Sequence, residues 1–329
     1  NKNLKLESSL LFDGILVGLA AGIVGASYRL LIGYSEKIVH YTADFIKTGF
    51  IYKIILLAVL VLLALFSGFL LKREPMASGS GIPQVSAEIT GRLNPNPLRV
   101  LIYKITGGLT ASLGGLSLGR EGPSIQLGAM SGKLVSRILK KDSIKEKYLI
   151  TCGASAGLSI AFGAPLAGVL FSIEEVHKQI TKKIIICCFS AAVVANIVGQ
   201  YIFGLTAIFK FPDVPYVEVN IYPWVALLGI LLGIFGTFYN VTIKILFKIY
   251  EYFKLNIVFR PQVAFLISFV LFIFYPIVLG SGHSLVEFLI EINFIFYKNF
   301  IFTYIIHIRC CRWNFPTDSD SRSYTRNVI

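Results

Sequence analysis

The sequence predicts an all-α, polytopic membrane protein, and three observations carry that prediction. First, 55% of the 329 residues are hydrophobic and only 15% are charged, with a mean hydropathy of +0.72. A soluble domain of this length has no interior large enough for so much apolar surface, so a bilayer is its natural solvent. Second, apolar stretches recur at about 14–32, 52–71, 98–118, 148–173, 184–209, 221–248, 262–280 and 288–306. Several are long enough to cross a hydrocarbon core, which takes roughly 20 helical residues. Third, glycine and proline interrupt some of these runs, so broken helices are expected beside plain ones.

In chain order, the protein begins NKNLKLESS, without an initiator Met or a signal-peptide pattern, which reads as a clipped N terminus. Gly14, Gly18 and Gly22 recur every fourth residue in the first span. Gly153 and Gly157 do so in CGASAGLSIAFGAPLAG (152–168). Such spacing lets another helix backbone approach closely. MASGSGIPQV (76–85) and GLSLGREGPS (115–124) are the interrupted segments. FPDVPYVEVNIYP (211–223), with three prolines and two acids, reads as a loop between two halves.

The formal net charge is +13. Its densest cations lie in the short segments KLVSRILKKDSIKEK (133–147) and HKQITKK (177–183), the pattern of cytoplasmic loops in a membrane protein rather than of nucleic-acid binding. Cys152, Cys187, Cys188, Cys310 and Cys311 include no Cys-x-x-Cys pair, which argues against a zinc site or disulfide framework. His40, His177, His283 and His307 are scattered, and read as loop or interfacial residues. With no nucleophile–base pair and no metal constellation, neither an enzyme nor a cofactor is expected.

Three segments carry candidate chemistry. In GSGIP, the Gly79, Ser80, Gly81, Ile82 and Pro83 run can converge backbone N–H groups and a hydroxyl on a small anion without trapping it by a full charge. A turn between spans accounts for the same residues equally well. In GREGP, Pro123 suits a first helical turn, because its missing N–H would be unpaired there. Gly119, Arg120, Glu121 and Gly122 then lie at a helix N terminus, where free N–H groups and the helix dipole favour an anion. Ionised, the Glu121 carboxylate can fill that place itself; protonated, it can leave, which couples proton binding to anion access. The alternative is a helix-capping Glu121 paired with Arg120. An ionisable residue between two apolar spans is costly enough to favour a functional reading. Third, Glu174 and Glu175 in IEEVHK (173–178) end an apolar run. On composition they read first as helix-terminal acids at the interface, and second as a proton relay.

Together GSGIP, GREGP and FGAPLAGVLFSIEEV, in that order and spacing, resemble the CLC family of chloride channels and chloride/proton antiporters. The resemblance covers about residues 10–303. It implies an inverted-repeat helical fold with re-entrant segments in a multi-pass protein, here the plasma membrane of a prokaryote, normally as a homodimer with one pore per subunit. By the resemblance, residues 79–83 and 119–123 bind chloride, with Ser80 as the central coordinating serine of the chloride type. Glu121 is the gating glutamate, Glu175 the internal proton-transfer glutamate, and Lys104 matches a lysine near the pore. An acid at 175 favours chloride/proton antiport over a passive channel.

The resemblance also divides the chain into an N-terminal membrane repeat at 1–210, a partial second repeat at 211–303, and an aberrant tail at 304–329. The family's later G-x-F-x-P segment and pore tyrosine do not appear. Arg309 to Thr317 can be encoded so that reading one base later gives Gly-Val-Ala-Gly-Gly-Ile-Phe-Leu-Pro, which contains that motif. A frameshift is the reading adopted for the tail, and without the lost segment the printed chain is not expected to transport.

Overall fold

The computed structural model describes residues 2–46, 49–205, 219–253 and 256–282, and their regular secondary structure is all helical. The 288–306 span, the 304–329 tail and most of the 211–223 loop lie outside the described residues.

Ten helices follow in order: α1 Lys2–Ile46, α2 Phe50–Arg73, α3 Ile82–Ile89, α4 Pro97–Leu113, α5 Glu121–Ile138, α6 Ser143–Phe162, α7 Pro165–Phe171, α8 Lys182–Phe203, α9 Tyr222–Tyr252 and α10 Arg260–Phe274. Four of them are long and apolar enough to cross a membrane: Ser8–Ile46 of α1, then α2, α8, and Tyr222–Leu246 of α9. Among the described residues, the 98–118 and 148–173 stretches are divided, for local reasons. The 98–118 run stops at Leu113, and Gly115 turns back at φ +72° against Phe272 and Leu279. The 148–173 run breaks where Gly163 takes φ +67° ahead of Pro165, which opens α7. Proline tolerates a first helical turn but not an interior one.

The core is built on glycine. Gly128 and Gly132 of α5 meet Gly153 and Gly157 of α6 so closely that a methyl group on any of them would strike the opposing backbone. Gly18 and Gly22 of α1 face Ala191 and Ala195 of α8 in the same manner. In lipid there is little hydrophobic gain from pairing apolar helices, so van der Waals contact at such short range is what holds them. Both glycine stripes legible in the sequence are therefore helix contacts.

One cation is sealed inside. Lys133 on α5 is fully buried and donates to the Glu88 carboxylate of α3, to Asn94 Oδ1 at 2.9 Å and to Pro95 O at 2.9 Å. All three ammonium hydrogens are used, which is what a buried charge demands. The bonds tie α3 and its following loop to α5. Lys141 likewise pairs with the buried Asp13 of α1 at 2.7 Å.

Candidate functional site

After α2, the chain makes one 3₁₀ turn at Pro75–Ala77 and then a hook, with Gly79 at φ +67° and Gly81 at φ +98° on either side of Ser80. Only glycine enters this left-handed region without strain. A methyl group on Gly81 would also come within 2.6 Å of the Gln126 side chain. Gly81 is the N-cap of α3, with Ile82 and Pro83 in its first turn.

Three side chains hold the hook. Lys104, almost wholly buried on α4, donates from Nζ to Gly79 O at 2.7 Å and Ala77 O at 3.1 Å. Gln126 Nε2 donates to Met76 O at 2.8 Å, and Gln84 Nε2 to Ser78 O at 2.9 Å. The lysine's ammonium is thus bonded to the carbonyls of the hook.

GREGP forms the start of α5. Arg120 is the N-cap, Glu121 and Gly122 the first two helical residues, and Pro123 completes the opening turn. Ser124 bonds back to Arg120 O through both its N–H, at 3.2 Å, and its hydroxyl, at 2.7 Å. The N–H groups of Glu121 and Gly122 have no partner inside the helix. Gly122 is buried against the hook: a methyl group there would collide with the carbonyl oxygen of Ser80. The N termini of α3 and α5 are thereby brought together, at the end of α5 away from the basic 133–147 loop.

Between them opens a cavity of about 630 Å³, lined by Gly79, Ser80, Lys104, Glu121, Gly122 and Tyr28 among others. Ser80 and Glu121 are both exposed to it. Among the described residues no three His, Cys, Asp or Glu side chains gather as a metal site.

Arg120 does not pair with Glu121. Its Nη2 donates to Glu36 Oε2 at 2.9 Å and Oε1 at 3.1 Å, and reaches Ser281 Oγ at 3.3 Å. The alternative of a Glu121–Arg120 pair is thus replaced by an ion pair to α1, which leaves the Glu121 carboxylate without that partner. Glu36 was not marked by any motif. Its signal was periodicity: Tyr28, Ile32 and Glu36 share one face of α1, and a carboxylate on the inward stripe of an apolar span needs a partner.

Glu174 and Glu175 lie in a π-helical turn, Ser172–His177, that follows α7. Both are exposed, so they stand apart from the cavity-lining residues. Behind them, His177 Nδ1 is 2.8 Å from Thr151 Oγ1. Burial, and then the nearby Lys147 charge, hold its imidazole below the ordinary value of 6.5.

Two broken segments that meet at their N termini in a helical membrane protein make a site that favours an anion. The chain belongs to the voltage-gated chloride channel, or CLC, family: residues 63–311 match the family model described as Voltage gated chloride channel. It is similar to the H(+)/Cl(-) exchange transporter ClcA of Vibrio cholerae, with 36% identity over 264 residues, which are 77% of this chain and 55% of that protein. It is also similar to ClcA of Klebsiella pneumoniae, with 32% identity over 241 residues, 72% of this chain and 51% of that one. The chain spans about half the length of these relatives. Among solved structures, a slow cyanobacterial Cl−/H+ antiporter aligns with a TM-score of 0.74 and 29% identity, over 84% of this chain and 66% of that one. A CLC-type fluoride/proton antiporter shares the fold, with a TM-score of 0.64 and 20% identity over 82% and 68% of the two chains. The protein is therefore an integral membrane protein with the CLC-type helical fold.

Proposed function

We propose that this protein takes part in chloride/proton antiport, with the anion site at residues 79–83 and 119–123. The observation that carries the reading is the contact of Gly122 with the Ser80 carbonyl, which brings two helix N termini together beside one cavity that Ser80 and Glu121 line. Such a site supplies partial positive charge from fixed dipoles, strong enough to replace hydration and weak enough to release the ion. Lys104 supports this by bracing the hook through its carbonyls.

Glu121 is the gate in this reading. Its carboxylate is tethered where the free N–H groups of α5 attract an anion, so it competes with chloride when ionised and yields when protonated. Glu175 then exchanges protons with the side bearing the basic loops. The division into repeats at 1–210 and 211–303, the homodimer, and residence in a bacterial plasma membrane follow the same reading. The ClcA relatives are named as H(+)/Cl(-) exchangers, and this supports antiport over a passive channel.

The test is reconstitution of the full chain in liposomes carrying a chloride gradient. Proton movement driven by chloride is expected from the geometry of the site, whereas the frameshift reading of the tail expects none, so the wild-type flux decides between them. Where flux occurs, Glu121→Gln should retain chloride flux while losing the coupled protons. A wild-type chain that moves neither ion overturns the assignment; coupled flux in Glu121→Gln overturns the role of Glu121.

A further inference from the structure

The hook that carries Ser80 occurs twice. Helix α2 is followed by Glu74 at φ −135°, ψ 84°, the 3₁₀ turn Pro75–Ala77, and Ser78 at φ −73°, ψ 161°. Then come Gly79 at φ +67°, Ser80 and Gly81 at φ +98°. Helix α10 is followed by Tyr275 at φ −140°, ψ 61°, the 3₁₀ turn Pro276–Val278, and Leu279 at φ −73°, ψ 151°. Then come Gly280 at φ +84°, Ser281 and Gly282 at φ +81°. The bonding repeats as well: Glu74 N donates to Leu70 O at 3.0 Å and Tyr275 N to Leu271 O at 2.8 Å. Ser78 N donates to Pro75 O at 3.1 Å and Leu279 N to Pro276 O at 3.2 Å. One serine between two left-handed glycines is thus built at two places in the chain.

The second hook has an anion beside it already. Glu36 reaches across from α1, its Cγ within 3.6 Å of where a Cβ on Gly280 would stand. Its carboxylate takes two hydrogen bonds from Arg120 Nη2, which also reaches Ser281 Oγ. Arg120 Nε is buried without a hydrogen-bond partner. A void of about 10 Å³, room for a single water, is bounded by Tyr28, Glu36, Arg120 and Ser281.

We propose that Arg120 and the Gly280–Gly282 hook form a second seat for a small monovalent anion of the halide class, and that the Glu36 carboxylate is its resident occupant. The donors are a guanidinium with an unused N–H and a serine hydroxyl, the combination that suits a halide as well as a carboxylate. The guanidinium side chain is only 24% exposed, so an anion lost from it has to be replaced. Deleting the Glu36 carboxylate removes the tethered anion and leaves the donors to a free one. This inference needs neither flux nor Glu121, so it stands or falls apart from the transport reading.

The experiment uses the purified full chain in detergent and bromide as the probe, with gluconate exchanged for bromide at fixed ionic strength. A ligand that binds only the folded state raises the unfolding midpoint. Glu36→Ala should gain a bromide-dependent rise of about 2–4 °C beyond any response of the wild type, and adding Ser281→Ala should diminish it. Bromide bound at Ser80 and Glu121 raises both proteins alike and cancels in the difference. Crystals of Glu36→Ala soaked in bromide should show its anomalous signal beside Arg120. If Glu36→Ala fails to fold, Glu36→Gln removes the charge at constant size and is read the same way. A bromide response equal to that of the wild type overturns the inference.

Discussion

Gly122 lies against the carbonyl oxygen of Ser80, with no room for even a methyl group between them. That contact sets the separation of two helix N termini whose sequence motifs are some forty residues apart.

Gly122→Ala should therefore push the hook away from α5. Overpacking of this kind costs about 1–3 kcal/mol, read as a lowered unfolding midpoint. Chloride flux in liposomes should fall by more than the loss of folded protein accounts for. Gly81→Ala should lower the midpoint as well, because its φ of +98° and the nearby Gln126 make a methyl group unfavourable there.

Glu175→Gln separates antiport from passive conduction. Under the antiport reading it abolishes chloride-driven proton uptake while chloride flux persists. Proton transport unchanged from the wild type would remove Glu175 from the path, and the exposed π-helical turn would be an interfacial helix end.

Lys133 and Glu88 should behave as a unit. Lys133→Met leaves the Glu88 carboxylate buried and unpaired, which costs about 3–5 kcal/mol. Changing both to apolar residues of similar size should recover most of that loss, because the uncompensated charge is gone. Unfolding midpoints of the two single variants and the double variant test the coupling.

His177 gives a pH dependence with a defined sign. Its folded-state pKa lies below the ordinary 6.5 through burial and Lys147, so the unfolded chain takes up the proton first. The stability it contributes is complete above about 6.5 and is lost as the pH falls through that value toward the folded pKa. Midpoints measured between pH 8 and 5, two conditions on the order of that window, should fall, and His177→Gln should flatten the slope.

Several parts of this fold were legible in the residues. The Gly14, Gly18, Gly22 stripe and the Gly153, Gly157 pair announced close helix contacts, because a missing Cβ on one helical face has few other uses. Pro123 announced a helix start, because proline fits a first turn and breaks an interior. The partner of Arg120 was not legible. Glu121 is its neighbour in sequence, yet the side chain turns to Glu36, 84 residues away. Nor did composition mark Gln126 or Lys104 as braces of the hook, since both sit among apolar residues with no local acceptor.

By itself the sequence determined the solvent, the helical class, two of the places where helices break, and the residue types at the candidate anion site. Those are local properties: hydropathy over about 20 residues, the φ of proline and the freedom of glycine. The tertiary structure alone decided that Gly122 abuts Ser80, that Lys104 bonds to the carbonyls of the hook, that Lys133 closes on Glu88, and that Glu36 rather than Glu121 answers Arg120. Each of these pairs joins separate helices, and which donors and acceptors meet across a helix contact is fixed by packing in three dimensions, where a buried charge must find its partner.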